Sequence, residues 1–141
     1  MVDLSNPAAA KWFADVITTN MIGTGSSGWM SDFGEYLPFD ASLHEANAST
    51  FHNAYPEQWA ATNRIAIASA PETVFFSRSS CAKSPGQSTL FWLGDQLVTW
   101  DEYDGLRSTI AGALSGSISG LVLQHSDIGG YTMVSKGKQW S

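Results

Sequence analysis

Two aspartates, Asp32 and Asp95, have the residue type and the placement of a catalytic carboxylate pair. Each follows an apolar run that we expect to form a β-strand, and 63 positions separate them. Hydrolysis of a glycosidic bond uses two carboxyl groups that flank the bond, one as nucleophile or base and one as proton donor. The carboxyl ends of parallel strands bring such distant residues to one mouth of a sheet or barrel. The simpler alternative is that both aspartates cap the helices that follow their strands.

Two more charged residues, Arg78 and Asp127, also follow predicted strands. Charged residues are scarce in this chain, since Asp, Glu, Lys and Arg together make up 14% of it, against the usual ~25%. Their placement at four strand ends therefore indicates a site at that edge of the sheet.

Other chemistries find less support in the sequence. The histidines and Asp127 lack the H-x-x-x-H and H-E-x-x-H spacings of metal sites, so we expect no metal ion and no cofactor. The single cysteine, Cys81, has no adjacent histidine to activate it as a nucleophile. Residues 23–28 match G-x-G-x-x-G, but a predicted helix precedes them and a strand follows, the reverse of a dinucleotide-binding loop. We interpret this segment as a helix-to-strand connection.

The predicted elements alternate between helices and strands. Helices are indicated by capping residues, prolines and one apolar face, and are expected at 7–20, 49–69 and 103–119. Strands are indicated by β-branched and aromatic runs between turn residues, and are expected at 29–33, 73–77, 88–93 and 120–125.

Continuous apolar strands are typical of a parallel sheet that is covered on both faces. We therefore predict an α/β fold with four parallel strands and with helices packed on one side, as in an open segment of a barrel. A small, complete doubly wound domain is the alternative, and it would place a helix on the second face of the sheet.

The composition excludes several classes of function. Seven basic and thirteen acidic residues give a net charge of −6, so no basic surface is available for nucleic acid. No apolar run reaches the ~18 residues of a membrane span, and the first residues lack the segments of a signal peptide. We therefore expect no nucleic-acid or membrane partner, and a cytoplasmic location for the chain as it stands. Six tryptophans offer aromatic planes of the kind that sugar-binding clefts use.

Four motifs together resemble the conserved blocks of glycoside hydrolase family 31. Residues 29–38 read WMSDFGEYLP and are similar to the nucleophile region of that family. FSRS at 76–79, FWLGDQ at 91–96 and HSDIGGY at 125–131 are similar to the next three blocks, in the same order and at suitable intervals. Residues 2–7 are similar to the segment before the nucleophile strand, so the resemblance covers nearly the whole chain.

The resemblance implies a retaining α-glycosidase on a (β/α)8 TIM barrel, acting on a carbohydrate substrate. By its motifs, Asp32 matches the nucleophile and Asp95 matches the general acid/base. Glu35 belongs to the same motif as Asp32, and we expect it to lie behind the residues that contact the sugar.

Three further residues match positions that bind the sugar. Arg78 matches an arginine that hydrogen-bonds sugar hydroxyls in the cleaved subsite. Trp92 matches an aromatic residue of the pocket wall, and Asp127 matches a polar residue of the pocket floor.

The exact residues of the motifs indicate which branches of the family the chain resembles most. Maltase-type members usually have Met-Asn between the nucleophile and its glutamate, whereas this chain has Phe33-Gly34, as in the α-xylosidase and sulfoquinovosidase branches. The segments at 36–38 and 94–96 are most similar to sulfoquinovosidases. In that branch the tyrosine that matches Tyr131 helps to recognise the sulfonate.

A (β/α)8 barrel takes roughly 250 residues, and this chain supplies about half of one. By the resemblance, residues 1–141 form a fragment of the catalytic barrel, about four βα units of its central region, with no second domain. We expect hydrolase activity only within a full-length parent, and poor folding of the isolated chain. The alternative is a non-catalytic truncated fragment that retains at most a carbohydrate-binding or interaction surface.

Overall fold

The expected alternation of helices and strands is present in the computed structural model, which describes residues 1–133. Residues 134–141, which the domain prediction includes, lie outside the described range. The chain divides into two units, Met1–Phe91 and Trp92–Ser141.

The first unit contains most of the helices and strands within residues 1–133. Its helices are α1 (Pro7–Asn20), α2 (Ala48–Phe51) and α3 (Tyr55–Ile67), with short 3-10 helices at Ile22–Thr24 and His52–Ala54. Its strands are β1 (Gly28–Ser31), β2 (Val74–Ser77) and β3 (Leu90–Trp92), the last of which ends at the first residue of the second unit.

Helix α1 begins as its sequence predicts. The side chain of Asn6 accepts a hydrogen bond from the Ala8 N–H at 2.9 Å, and Pro7 occupies the first turn, where its missing N–H costs nothing. After α1 the chain turns through Ile22–Thr24 and through Gly25, whose φ is 95°, and then enters β1. The interpretation of the glycine-rich segment as a helix-to-strand connection is therefore confirmed.

The single helix predicted at 49–69 is wrong, because the structure breaks it between α2 and α3 at His52–Ala54. Pro56 stands in the first turn of α3. Its ring would clash with the carbonyl four residues earlier, and it has no N–H to bond to that carbonyl, so a continuous helix cannot pass through it.

The strands pair in parallel, as predicted. Register runs from Gly28↔Val74 to Ser31↔Ser77 between β1 and β2, and Phe76 pairs with Leu90 between β2 and β3. The strand order is β1-β2-β3-β4. The prediction of an α/β fold with a four-stranded parallel sheet is confirmed.

One face of β1 and β2 forms the core of the first unit. Trp29 and Phe75 stack with ring centroids 6.3 Å apart, and both are buried in one cluster with Ala14 of α1 and Ala60 of α3. Burial of each aromatic side chain contributes about 1.5–3 kcal/mol.

The other face of these strands departs from the expectation of two covered faces. Met30 and Val74, whose side chains alternate with the buried ones, are each 44% exposed. Strands of a barrel bury their second face against other strands rather than against helices. Apolar runs in the sequence cannot distinguish a face that helices cover from a face that other strands cover.

The second unit contains α4 (Leu106–Ile118) and β4 (Gln124–His125), both shorter than predicted. Helix α4 does not begin at 103, because the Asp101 carboxylate accepts the N–H groups of Tyr103 and Asp104 and holds them in a turn. After α4, the Leu121 N–H bonds to the carbonyl of Gly116 and closes the helix end, so this part of the predicted strand is not available for pairing.

No helix within residues 1–133 is long and apolar enough to cross a membrane.

Candidate active site

The first unit brings together two of the residues singled out by sequence, Asp32 and Arg78. Asp32 directly follows β1 and Arg78 directly follows β2, one position beyond the register pair Ser31↔Ser77. Arg78 Nη1 lies 3.2 Å from Asp32 Oδ1. The parallel register thus produces this ion pair at the carboxyl end of the sheet, where ligand sites of parallel α/β folds lie.

The chain turns sharply after Asp32. Phe33 has a φ of 61° and Gly34 a φ of 108°, so two consecutive residues lie at positive φ. This turn directs the Phe33 N–H back to Asp32 Oδ1 at 2.8 Å. A Cβ at Gly34 would lie 2.7 Å from Ser79 Oγ, so both the conformation and the space require glycine there.

Two side chains from elsewhere in the first unit hold this turn. Trp59 of α3 donates its indole N–H to the Asp32 carbonyl at 3.0 Å. Ser79, just beyond β2, donates its hydroxyl to the Phe33 carbonyl at 2.6 Å. The backbone around Asp32 is therefore fixed by both a helix and the neighbouring strand's loop.

Glu35 is an ion-pair partner of Arg78, a role that the motif alone did not reveal. Arg78 Nη2 donates to Glu35 Oε1. Burial by itself would lower the pKa of Arg78, but the hydrogen bond to Glu35 and the charges of Glu35 and Asp32 outweigh it and raise that pKa. The sequence feature that could have indicated this contact is a second carboxylate three residues after Asp32, beyond a glycine that reverses the chain.

The Arg78 guanidinium is also capped by aromatic rings. Its side chain is 15% exposed, and Cζ lies 4.3 Å from the centroid of Phe33 and 5.9 Å from that of Tyr36. Cation–π contacts of this kind are worth about 0.5–1 kcal/mol or more, depending on burial.

In the second unit the structure brings Trp92 and Asp127 together. The Trp92 indole N–H donates to Asp127 Oδ1 at 2.9 Å, and Trp92 is 4% exposed. Its ring is therefore buried here, with its polar edge on the carboxylate.

Asp95 lies three residues beyond β3, and Gly94 before it has a φ of 84°. The residue is exposed, and its carboxylate has no hydrogen bond or ion pair within residues 1–133. Within residues 1–133, Asp95 forms no hydrogen bond or ion pair with Asp127 or Tyr131. Asp32 belongs to the first unit, whereas Asp95 belongs to the second.

Tyr131 is tied to the segment of Asp95 through its backbone. Its N–H donates to the Gln96 carbonyl at 2.7 Å, while the residue is 68% exposed. The phenol therefore extends from a fixed backbone.

Gln96 and Asp127 line a cavity of about 220 Å³ in the second unit. Gln96 Oε1 and Asp127 Oδ2 are both buried and have no hydrogen-bond partner in the part of the chain that is described. Two such acceptors fit hydroxyl donors of a ligand. Sequence reasoning passed over Gln96 as a binding residue, although it follows Asp95 directly.

Among the described residues, no three His, Cys, Asp or Glu side chains are grouped so that they could hold a metal ion.

Comparison with known proteins identifies close relatives. The chain is 47% identical over 143 residues to a sulfoquinovosidase of Escherichia coli (strain K12) and 46% identical over 137 residues to a sulfoquinovosidase of Agrobacterium fabrum. These alignments cover 99% and 94% of the chain but 21% of each relative, so the chain spans about a fifth of their length. An α-xylosidase of Emericella nidulans is 27% identical over 93% of the chain and 17% of that relative.

A solved structure has the same fold. The GH31 family sulfoquinovosidase from E. rectale, in complex with the aza-sugar inhibitor IFGSQ, superposes with a TM-score of 0.93 at 44% identity. The match covers 96% of this chain and 21% of that one. The predicted fold, a fragment of a TIM barrel, is thereby confirmed. Because the glycosyl hydrolases family 31 TIM-barrel domain matches residues 1–140, the chain belongs to that family.

Proposed function

We propose that this chain is the central part of a longer retaining α-glycoside hydrolase, with a substrate like that of the sulfoquinovosidases. The observation that carries this proposal is the geometry of Asp32. Oδ1 accepts the Phe33 N–H and faces Arg78 Nη1, which leaves Oδ2 as the oxygen for the substrate. A carboxylate with one oxygen anchored and the other available suits a nucleophile.

The reaction we propose has two steps. Asp32 attacks the anomeric carbon and forms a glycosyl-enzyme, while Asp95 donates its proton to the leaving oxygen. Asp95 then takes a proton from water, which displaces Asp32 and releases the sugar with its anomeric configuration retained. The exposure of Asp95 supports this role, because its carboxyl group must reach both a leaving group and water.

The sugar-binding roles rest on the remaining predicted residues. Arg78 is charged and held rigidly, as an arginine that bonds sugar hydroxyls must be. Asp127 and Gln96 offer buried acceptors to hydroxyl donors. Tyr131 presents its phenol to solvent, where it can bond a sulfonate. Trp92 acts behind Asp127, since its ring is buried.

The sulfoquinovosidase relatives favour a sulfonated sugar, and the α-xylosidase relative supplies the second candidate class of substrate. A panel of α-sulfoquinovoside, α-xyloside and α-glucoside, assayed with the full-length protein, distinguishes them. We expect the highest kcat/KM on the sulfoquinovoside.

The roles of the carboxylates are tested by two substitutions in the full-length protein. Asp32→Ala should abolish turnover of every substrate. Asp95→Ala should retain far more activity on aryl glycosides with good leaving groups, because such groups need little protonation to depart. Equal losses for both variants across leaving groups would show the assignment of roles to be wrong. Absence of any glycosidase activity in the unmodified protein would favour the non-catalytic alternative.

A further inference from the structure

The contacts of Arg78 indicate a role in addition to sugar binding. A guanidinium presents a planar fork that fits both oxygens of one carboxylate. Here the fork is divided, because Nη1 faces Asp32 Oδ1 and Nη2 bonds to Glu35 Oε1. If Glu35 were absent, the same fork could take both oxygens of Asp32.

We propose that Glu35 is a positioning residue: it holds Nη2 of Arg78, so that Arg78 faces Asp32 Oδ1 through Nη1 and leaves Asp32 Oδ2 for bond formation. This inference rests on the proposed function for its chemical step. The sequence motif places Glu35 near Asp32, but only the division of the guanidinium gives it this task.

The surroundings of Arg78 keep the division in place. Its side chain is 15% exposed, so a swing into water would sacrifice most of its contacts. The Phe33 ring covers the guanidinium face at 4.3 Å. Rotation of the fork toward Asp32 is therefore opposed by Glu35 at one end and by the ring on its face.

The side chain of Glu35 is partly buried where it contacts Arg78. Its side chain is 34% exposed, yet its Oε2 is buried without a hydrogen-bond partner among the described residues. The positive-φ turn at Phe33 and Gly34 returns the chain so that Glu35 reaches the same guanidinium as Asp32. The two carboxylates and one guanidinium carry a net charge of −1, so Arg78 cannot neutralise both.

The division of the guanidinium determines which oxygen of Asp32 reacts in the first chemical step. A lone pair of Asp32 Oδ2 forms the bond to the anomeric carbon as the bond from that carbon to the leaving oxygen breaks. The proton from Asp95 completes the departing alcohol. Oδ1 keeps the Phe33 N–H throughout, so the carboxylate does not rotate.

The test compares Glu35→Gln with Glu35→Asp in the full-length protein, with Glu45→Gln as the matched control. Glu45 is an exposed carboxylate beside His44 and has no part in the proposed chemistry. Glu35→Gln should lower kcat/KM on an aryl α-glycoside by on the order of a hundredfold, since misplacement of a reacting group has that effect. Glu35→Asp should restore most of the loss because the charge is kept. Glu45→Gln should match the unmodified protein.

Crystal structures provide a measurement that would not change if Glu35 had only a structural role. In Glu35→Gln, Arg78 should bond both oxygens of Asp32, and a trapped glycosyl-enzyme of the unmodified protein should carry the sugar on the oxygen that Phe33 does not bond. An Arg78 still on Oδ1 alone in Glu35→Gln, or a sugar attached to Oδ1, would overturn the proposal.

The trapped complex needs no variant, so a Glu35→Gln protein that fails to fold leaves the proposal testable. If the unmodified protein cleaves no α-glycoside, the proposed function is wrong, and the Glu35→Gln structure still decides whether Glu35 divides the guanidinium.

Discussion

Gly34→Ala tests whether the turn after Asp32 is crowded as well as strained. At a φ of 108°, an alanine costs about 1–2 kcal/mol in backbone conformation. Its Cβ would also stand 2.7 Å from Ser79 Oγ, so the hydroxyl must move and its hydrogen bond to the Phe33 carbonyl is lost, which costs about 1 kcal/mol more. We therefore expect Gly34→Ala to destabilise this segment by about 2–3 kcal/mol in all.

Gly25→Ala is the matched control. Gly25 has a φ of 95° but nothing within 4 Å of its would-be Cβ, so only the conformational cost of about 1–2 kcal/mol applies. Native-state hydrogen exchange of the full-length protein measures the free energy of local opening at both sites.

A double-mutant cycle with Ser79 isolates the crowding. Ser79→Ala alone should cost about 1 kcal/mol for the lost hydrogen bond, but it should add nearly nothing to Gly34→Ala, in which that bond is already broken. Equal costs for Gly34→Ala and Gly25→Ala, or full additivity of the Ser79 substitution, would refute the reasoning.

Three further outcomes are expected. Tyr131→Phe should lower kcat/KM on a sulfonated sugar by about 1.5–3 kcal/mol in barrier and leave an unsulfonated glucoside nearly unchanged; equal losses in the substrate panel would make Tyr131 structural. Burial, together with the Asp3 charge, raises the pKa of Tyr55 to about 12 from 10.0, so the protein should lose stability between pH 10 and 12, and Tyr55→Phe should remove that loss in alkaline melting curves. Ser31 and Ser77 are buried with unpartnered hydroxyls in the described structure, so replacing both with alanine should be neutral or stabilising in thermal unfolding.

Much of the fold followed from local signals. The cap at Asn6 and the proline after it placed the start of α1, and the aromatic β-branched runs placed β1 and β2 to within a residue or two. The break before α3 was missed because the apolar face continues across Pro56, and periodicity carries no information about a missing N–H.

The sequence could predict which residues lie at the candidate site, but it could not predict the contacts between them. Asp32 and Arg78 follow paired strands, so a parallel sheet alone brings them together. The bond from Arg78 to Glu35 depends on Phe33 adopting positive φ, which few residues other than glycine do. No propensity predicts that conformation, since it is imposed by Trp59 and Ser79 from distant parts of the chain.

The one-sided core of the first unit has a consequence for the order of folding during synthesis. Every residue of its main cluster lies between Ala14 and Phe75, and Ser79 completes the supports of the Asp32 turn. Chains grow at about 5–20 residues per second and fold from the N-terminus in units. The turn after Asp32 can therefore form before Asp95 emerges from the ribosome. Met30 and Val74 remain exposed in that interval, which makes this face the point of contact for chaperones or for aggregation.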